Sequence, residues 1–267
     1  MTHSRLSPFV IAALISATLG VAGVAHADDV GPIATDRPGN GNASSTVPKH
    51  RLQIETSASY LRSDAGAVTV QQITLPTLVR FGLLDSVEVR VGSSIVGIDA
   101  TSGSDEGPAL TDTLVGAKVQ LAENAGTKPQ LAVMVDVTLP TGDGGFTGDK
   151  VVPEARVAAA WSLPSNFGFL INAGGDLPEA AGDRFVRLLY VANLGYTPAS
   201  LLDGRLSVFV ESFGRLSLDS DQAHVVQVDL GAAYSLNPNL QLDFFTQHGL
   251  SDGAPDFQIA VGVSARL

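Results

Sequence analysis

The chain has 267 residues and a formal net charge of −11 at pH 7, from 16 Lys and Arg against 27 Asp and Glu. The acidic balance argues against a nucleic-acid partner, because binding to nucleic acids depends on cationic contacts with phosphates. The absence of cysteine excludes disulfide bonds as a source of stability.

The N-terminal segment has the features of a secretory signal peptide. Arg5 gives a basic start, residues 9–24 form an apolar run, and Ala25 and Ala27 supply the small residues of a cleavage site. The short run disfavours the alternative of an uncleaved membrane anchor. No later stretch holds 18 consecutive apolar residues, so we expect no membrane-spanning helix after it. We therefore predict that residues 1–27 are a signal peptide.

The segment from residue 28 to residue 50 is rich in Gly, Pro, Asn and Ser and shows no apolar periodicity. Such a composition is typical of a loop or an arm. Two interpretations remain open, a disordered leader in the periplasm and an arm folded into the domain that follows. In the second case Asp36 and Arg37 are polar enough to lie among buried charges, and Pro38-Gly39 permits a sharp turn.

After residue 50 the sequence divides into twelve segments of about ten residues that alternate apolar and polar residues. Period-two alternation predicts β-strands with different surroundings on their two faces. The predicted strands are 51–61, 68–81, 86–97, 110–121, 130–139, 152–163, 167–176, 184–196, 205–214, 224–235, 240–249 and 256–267. With no helical pattern between them, they predict an all-β, up-and-down antiparallel barrel over residues 51–267.

One face of the predicted strands is apolar and the other face carries the charged residues. The charged set comprises Glu55, Arg80, Glu88, Arg90, Lys118, Asp136, Arg156, Arg187, Glu211, Asp229, Asp243 and Arg266. Twelve strands enclose more space than a small apolar core can fill. We therefore expect the charged residues to line a lumen and the apolar residues to face lipid, as in a transmembrane β-barrel.

The connections between the predicted strands alternate between compact turns, such as Gly82–Asp85, and longer acidic loops. This is the asymmetry of outer-membrane barrels, whose short turns face the periplasm. Phe81, Trp161, Phe167, Tyr196 and Tyr234 all have outward parity at the short-turn ends of their strands. Aromatic side chains favour the level of the lipid headgroups. A β-sandwich, the alternative fold, would not place all five at one end.

The charged residues of the lumen permit two interpretations that remain open. They could form an ion-selective constriction, or they could pair across strands and fill the lumen. The near balance of signs favours pairing. The candidate partners are Arg80, Arg90, Arg156 and Arg187 with Glu55, Glu88, Asp136 and Glu211. The sequence does not fix the relative heights of the strands, so individual pairs cannot be assigned.

Three segments resemble a known family. TDRPG at residues 35–39, followed by TVPKHRLQIETSASYLR, is similar to the opening of outer-membrane transporters of the MetA-pathway phenol-degradation family. Gln53 and Glu55 match the first strand of that family, whereas His50 stands where Gly is more usual. LPTGD at residues 139–143 and the closing LDFFTQHGLSDGAPDFQIAVGVSARL are similar as well. The resemblance implies an outer-membrane β-barrel that passes small organic molecules.

Together these observations predict a porin-like channel in the outer membrane of a Gram-negative bacterium, for passive uptake of small organic molecules. The expected partners are outer-membrane lipid, lipopolysaccharide, the solute and the barrel-assembly machinery, although Leu267 replaces the usual terminal Phe or Trp. We predict no cofactor, metal or catalytic residue. Two alternatives stay open, a structural or adhesion barrel with a blocked lumen and an outer-membrane lipid hydrolase. The hydrolase would need a Ser-His pair, for which Ser251 and His248 are poorly placed.

Overall fold

The computed structural model describes residues 31–65, 68–100 and 106–267. The predicted signal peptide, residues 1–27, therefore lies outside the described residues. Among the residues that are described, no helix is long and apolar enough to cross a membrane. The helical elements there are three single 3₁₀ turns, Gly144–Phe146, Pro164–Asn166 and Leu202–Gly204.

Twelve long strands follow one another along the chain and build the wall of the molecule. They are β1 (Leu52–Ala65), β2 (Val68–Leu84), β3 (Val87–Ala100), β4 (Thr113–Ala122), β5 (Gln130–Leu139), β6 (Val152–Leu163), β7 (Phe167–Asp176), β8 (Arg187–Tyr196), β9 (Leu206–Ser217), β10 (Val225–Asn237), β11 (Leu240–Gly249) and β12 (Phe257–Arg266). A short strand, Glu106–Leu110, precedes β4 and also pairs with β3. The loop after β7 holds a small hairpin, Glu179–Ala180 with Asp183–Arg184.

The sheet closes on itself to form a barrel. Each strand pairs antiparallel with its neighbours in the sequence, and β1 also pairs with β12, with Gln53 opposite Arg266. A closed sheet leaves no long edge with unpaired N–H and C=O groups. The sequence-based prediction of a twelve-stranded, up-and-down antiparallel β-barrel is thus confirmed.

Most strand bounds agree with the prediction, and the differences have local causes. The predicted strand 110–121 is interrupted at Thr111-Asp112, and Glu106–Leu110 forms a separate strand that pairs with β3. The prediction of a turn at Gly82–Asp85 was wrong. β2 continues through a bulge to Leu84, and the turn to β3 lies at residues 85–86. The start of β8 lies at Arg187 rather than residue 184, since Asp183–Arg184 pairs within the loop hairpin.

The two faces of the wall differ as the alternation requires. On β5 the side chain of Val135 is 54% exposed on the outer surface, whereas Met134 and Asp136 beside it are buried. At the short-turn end, Phe167 and Tyr196 lie opposite each other on β7 and β8, and their rings stack with centroids 4.7 Å apart. The barrel therefore has an apolar exterior with aromatic residues at the short-turn end and a polar interior.

If the outer face of β5 contacts lipid, Val135→Arg will destabilise the barrel by about 2–4 kcal/mol, because a charge near the bilayer midplane loses its hydration. Val135→Ala is the matched control, since it removes apolar area without adding charge. Urea unfolding from lipid vesicles, followed by the fluorescence of the single tryptophan, Trp161, measures the difference. An Arg variant that is no less stable than the Ala variant would contradict the lipid-facing assignment.

Candidate functional site

The arm formed by residues 31–50 starts and ends at the short-turn end of the barrel. At its start, the N–H of Ile33 donates to the carbonyl of Pro238 at 2.8 Å, in the turn between β10 and β11. At its end, the N–H of His50 donates to the carbonyl of Gly82 at 2.8 Å, near the end of β2. The arm therefore enters and leaves at the same end and forms a loop between these points.

Consecutive residues of the arm contact opposite walls. The carboxylate of Asp36 lies 2.8 Å from Nζ of Lys118 on β4, whereas the guanidinium of Arg37 lies 2.8 Å from Oδ1 of Asp243 on β11. Further along, the backbone N–H of Asn42 donates to the side chain of Asn172 on β7 at 2.7 Å. A segment that reaches β4, β7 and β11 can lie only inside the closed sheet. The arm thus occupies the lumen.

The largest group of buried charges surrounds Asp36, and we call Asp36, Glu55, Arg80, Glu88, Arg90 and Lys118 the Asp36 cluster. Arg80 is fully buried and donates from Nη1 to Glu55 at 2.8 Å and from Nε and Nη2 to Glu88, both at 2.8 Å. Nη1 of Arg90 lies 3.1 Å from the carboxylate of Asp36. Together with Asp136, which lies beside Arg90, four carboxylates surround the three cations, and the arm supplies one of them.

Asp36 is held in its ionised form by this environment. Burial alone would raise the pKa of its carboxyl group, but the charges of Arg80, Lys118 and Arg90 outweigh burial and hold the pKa well below its usual value. The backbone N–H of Ala43 adds a hydrogen bond of 2.8 Å. These donors bind the carboxylate of Asp36, and with it this part of the arm, in the observed position.

The wall opposite the Asp36 cluster carries three carboxylates that contact the arm, namely Glu211, Asp229 and Asp243. Glu211 on β9 and Asp229 on β10 lie opposite each other as cross-strand neighbours. The backbone N–H of Asn40 donates to Glu211 at 2.6 Å and its side chain donates to Asp229 at 2.8 Å. Together with Asp243 these residues make an acidic wall facing the basic side of the Asp36 cluster.

A second charged group lies toward the long-loop end of β6 to β9. Arg187 and Arg215 both donate to the carboxylate of Asp176, at distances between 2.5 and 3.0 Å. Arg156 contacts Glu154 on its own strand at 2.5 Å. Glu154, Asp176 and Arg215 were not among the residues predicted to line the lumen, although Glu154 lies opposite Asp136 and Asp176 lies opposite Arg187. Arg215 was missed because the predicted strand ended at residue 214.

The structure also shows the contacts of Asp136 and Arg266, the last two residues that the sequence predicted to face the lumen. Asp136 lies 3.4 Å from Nε of Arg90. Arg266 donates to the side chain of Asn239 at 2.8 Å and to the carbonyl of Gly31 at 2.7 Å, at the point where the arm enters. Of the candidate partners, Arg80 meets Glu55 and Glu88, and Arg90 meets Asp136, whereas Arg156, Arg187 and Glu211 take other partners. Within the described residues, no three His, Cys, Asp or Glu side chains are arranged to hold a metal ion.

Two cavities lie in the lumen, one on each side of the arm. The cavity toward the long loops has a volume of about 390 Å³ and is lined by Asp36, Glu55, Leu78 and Leu114, among others. The cavity toward the short turns has a volume of about 370 Å³, and Arg37 lines both cavities. Residues 35–45 of the arm therefore form a partition across the lumen.

A third cavity, of about 700 Å³, lies against the outer surface rather than in the lumen. It is an apolar groove along β11, β12, β1, β2 and β3, lined mostly by outward-facing side chains that include Leu75, Val79, Leu242 and Val261. Because these side chains belong to the face we expect to meet lipid, the groove is separate from the two cavities beside the arm.

Residues 35–267 match the sequence profile of a family described as "Putative MetA-pathway of phenol degradation". The chain belongs to this family. No curated protein matches the sequence. Among solved structures, an outer membrane channel from Pseudomonas putida F1 is 13% identical and covers 86% of this chain and 99% of its own length, with a TM-score of 0.63. The NanC porin is 10% identical and covers 80% of this chain and 100% of its own, with a TM-score of 0.51. At these identities the likeness concerns the fold.

The LPTGD segment, through which the chain resembled the phenol-degradation family, forms a fixed loop after β5. The carboxylate of Asp112 accepts hydrogen bonds from the N–H groups of Thr141, Gly142 and Gly148, at 2.9 to 3.1 Å. In return, Asp143 accepts a hydrogen bond of 3.0 Å from the N–H of Leu110. These contacts attach the loop to the short strand Glu106–Leu110 beside the mouth of the barrel.

The two residues considered for a hydrolase do not form a catalytic pair. The hydroxyl of Ser251 donates to the carbonyl of His224 at 2.7 Å and accepts from the N–H of Val226 at 2.9 Å. His248 is exposed on the outer face of β11. The hydroxyl is thus engaged in fixing the loop after β11 rather than oriented by an imidazole.

The loop held by Asp112 is expected to loosen at acidic pH. Burial raises the pKa of Asp112, but hydrogen bonds from the backbone of Gly148, the side chain of Thr147 and the backbone of Gly142 and Thr141 outweigh it and lower the pKa below the usual 3.8. A depressed pKa stabilises the folded loop fully above the unfolded value, and this contribution is lost as the pH falls through the folded value. Hydrogen exchange should show protection of these three backbone amides above the usual carboxyl pKa of 3.8 and its loss as the pH falls below that value and through the lowered pKa of Asp112.

The amide of Phe146 gives the internal control, because it donates to the carbonyl of Asp143 and not to Asp112. Asp112→Asn should remove the pH dependence and lower the protection at every pH. Equal protection of the three amides in the variant and the natural chain would show that Asp112 does not hold the loop.

Proposed function

We propose that this protein is an outer-membrane channel for the passive passage of small organic molecules. The observation that carries the proposal is the combination of a closed twelve-stranded wall with cavities on both sides of a polar partition. Barrels of this size lie between those filled by their own side chains and wide aqueous porins. A narrow path with a charged interior suits small solutes rather than large ones.

The arm is the part of the molecule that limits passage in this proposal. It is not a strand of the wall, and it is attached to the lumen by side-chain contacts such as Asn40 with Asp229 and Arg37 with Asp243. Such contacts can be broken and remade without unfolding the sheet. Residues 31–50 therefore act as a restriction that sets the size and charge of what passes.

The proposed location follows from the surface of the barrel. Outward residues such as Val91, Val135 and Leu230 are about half exposed in the isolated chain and would be covered by lipid in a bilayer. We infer that outer-membrane lipid and lipopolysaccharide surround the wall, that the barrel-assembly machinery inserts it, and that the signal peptide directs its export. The proposed function includes no catalytic step and no cofactor.

Deleting residues 28–46 should raise single-channel conductance in planar bilayers, because the partition between the two cavities is removed while β1 stays complete. The unboiled protein should still migrate as a folded barrel in SDS gels. Liposome swelling with small solutes should become faster in the deletion variant.

The control for this deletion is a variant in which residues 28–30, outside the described arm, are removed and conductance stays at the level of the full chain. Unchanged conductance in the longer deletion would place the restriction elsewhere. If neither protein conducts ions or swells liposomes, the barrel has a structural or adhesive role and the channel proposal is wrong.

A further inference from the structure

The Asp36 cluster resembles a binding site for a carboxylate. The carboxylate that fills it, that of Asp36, belongs to the arm of the same chain. Three cations from three adjacent strands converge on the carboxylate of Asp36, with Nζ of Lys118 at 2.8 Å, Nη1 of Arg90 at 3.1 Å and Nη1 of Arg80 at 3.5 Å. All three side chains are at least nine-tenths buried. The occupant, by contrast, belongs to the arm and not to the wall.

Each of the three cations has a carboxylate partner on the wall as well as Asp36, and for Arg90 this partner is Asp136, at 3.4 Å. Arg80 is fixed by two parallel hydrogen bonds to Glu88 and one to Glu55, and Lys118 lies 3.7 Å from Glu88. Without Asp36, the carboxylates of Glu55, Glu88 and Asp136 remain beside the three cations, but the nearest carboxylate to Nζ of Lys118 is then that of Glu88, at 3.7 Å. The position of the Asp36 carboxylate beside Lys118 and Arg90 therefore suits one carboxylate at a time, and carboxylates match guanidinium and ammonium donors well.

The adjoining cavity indicates what else the ligand would contain. Asp36 faces the cavity of about 390 Å³ toward the long loops, which is within the size range of small-molecule pockets. Pro76, Leu78 and Leu114 give this cavity an apolar side. Its other carboxylates are occupied, since Glu55 binds Arg80 and Asp112 accepts three backbone N–H groups. An apolar body can thus lie in the cavity while its carboxylate reaches the cations.

We propose that Arg80, Arg90 and Lys118 form a subsite for the carboxylate of an organic acid, which Asp36 occupies when no solute is present. This inference rests on the proposed channel function and names its substrate class. A tethered group has an effective concentration on the order of millimolar or above, so a free acid must compete at comparable concentrations. Removing the side chain of Asp36 removes this competition.

The test uses the full chain with Asp36→Ala, and benzoate and benzamide as probes of equal shape and different charge. Benzoate should raise the melting temperature of the variant, with half-saturation at a concentration at least tenfold lower than in the natural chain. Benzamide should have no effect. In the double variant Asp36→Ala/Lys118→Met the effect of benzoate should be lost. Asp36→Asn, which keeps the volume of the side chain, gives a second background if the alanine variant does not fold.

Equal effects of benzoate and benzamide, or an effect that survives Lys118→Met, would overturn the subsite. Conductance of the natural chain in planar bilayers separates this result from the channel proposal. A chain that conducts but does not distinguish the two probes is a channel without the subsite. A benzoate-specific shift in a chain that never conducts supports the subsite and contradicts the channel.

Discussion

The need to pair charges inside a closed barrel is the constraint on which the rest of the structure depends. Removing one partner of a buried ion pair costs about 3–5 kcal/mol, because the remaining charge is left without water or a counterion. Arg80 and Lys118 are fully buried, and their carboxylate partners come from β1, β3 and the arm. The arm is therefore part of the charge balance of the wall, and these ion pairs fix its position together with the burial of Ile33 and Val47.

The arrangement explains why two adjacent residues of the arm have opposite charges. Asp36 faces the basic side chains of β2, β3 and β4, whereas Arg37 faces Asp243 on β11. Gly262 leaves room for this second contact, since a Cβ there would lie 2.5 Å from the guanidinium of Arg37. The arm thus spans a lumen with walls of opposite sign, and a solute passing beside it meets both.

The sequence predicted the strands of the barrel wall better than the ion pairs and the arm inside it. Period-two alternation and turn residues were enough to place β5, β6, β7 and β11 at their observed bounds, since side-chain parity is a local property of a strand. The bulge near Gly82 and the loop hairpin at Asp183–Arg184 were missed because they depend on pairing between strands. Ion pairs such as Arg187 with Asp176 depend on register, which alternation does not contain. Both interpretations of residues 28–50 were open because a segment without periodicity shows no preferred neighbour.

The most direct test of this account asks whether the arm lies inside the membrane-inserted barrel. The chain has no cysteine, so Asn42→Cys with Asn172→Cys places the only two thiols at the contact between the arm and β7. A short bis-thiosulfonate reagent should join them in the inserted protein, and reduction should reverse the link. Ala173→Cys in place of Asn172→Cys puts the second thiol on the outer face and should give no link. A folded barrel in which the thiol introduced into the arm is linked to neither partner, or to the outer one, would contradict the account.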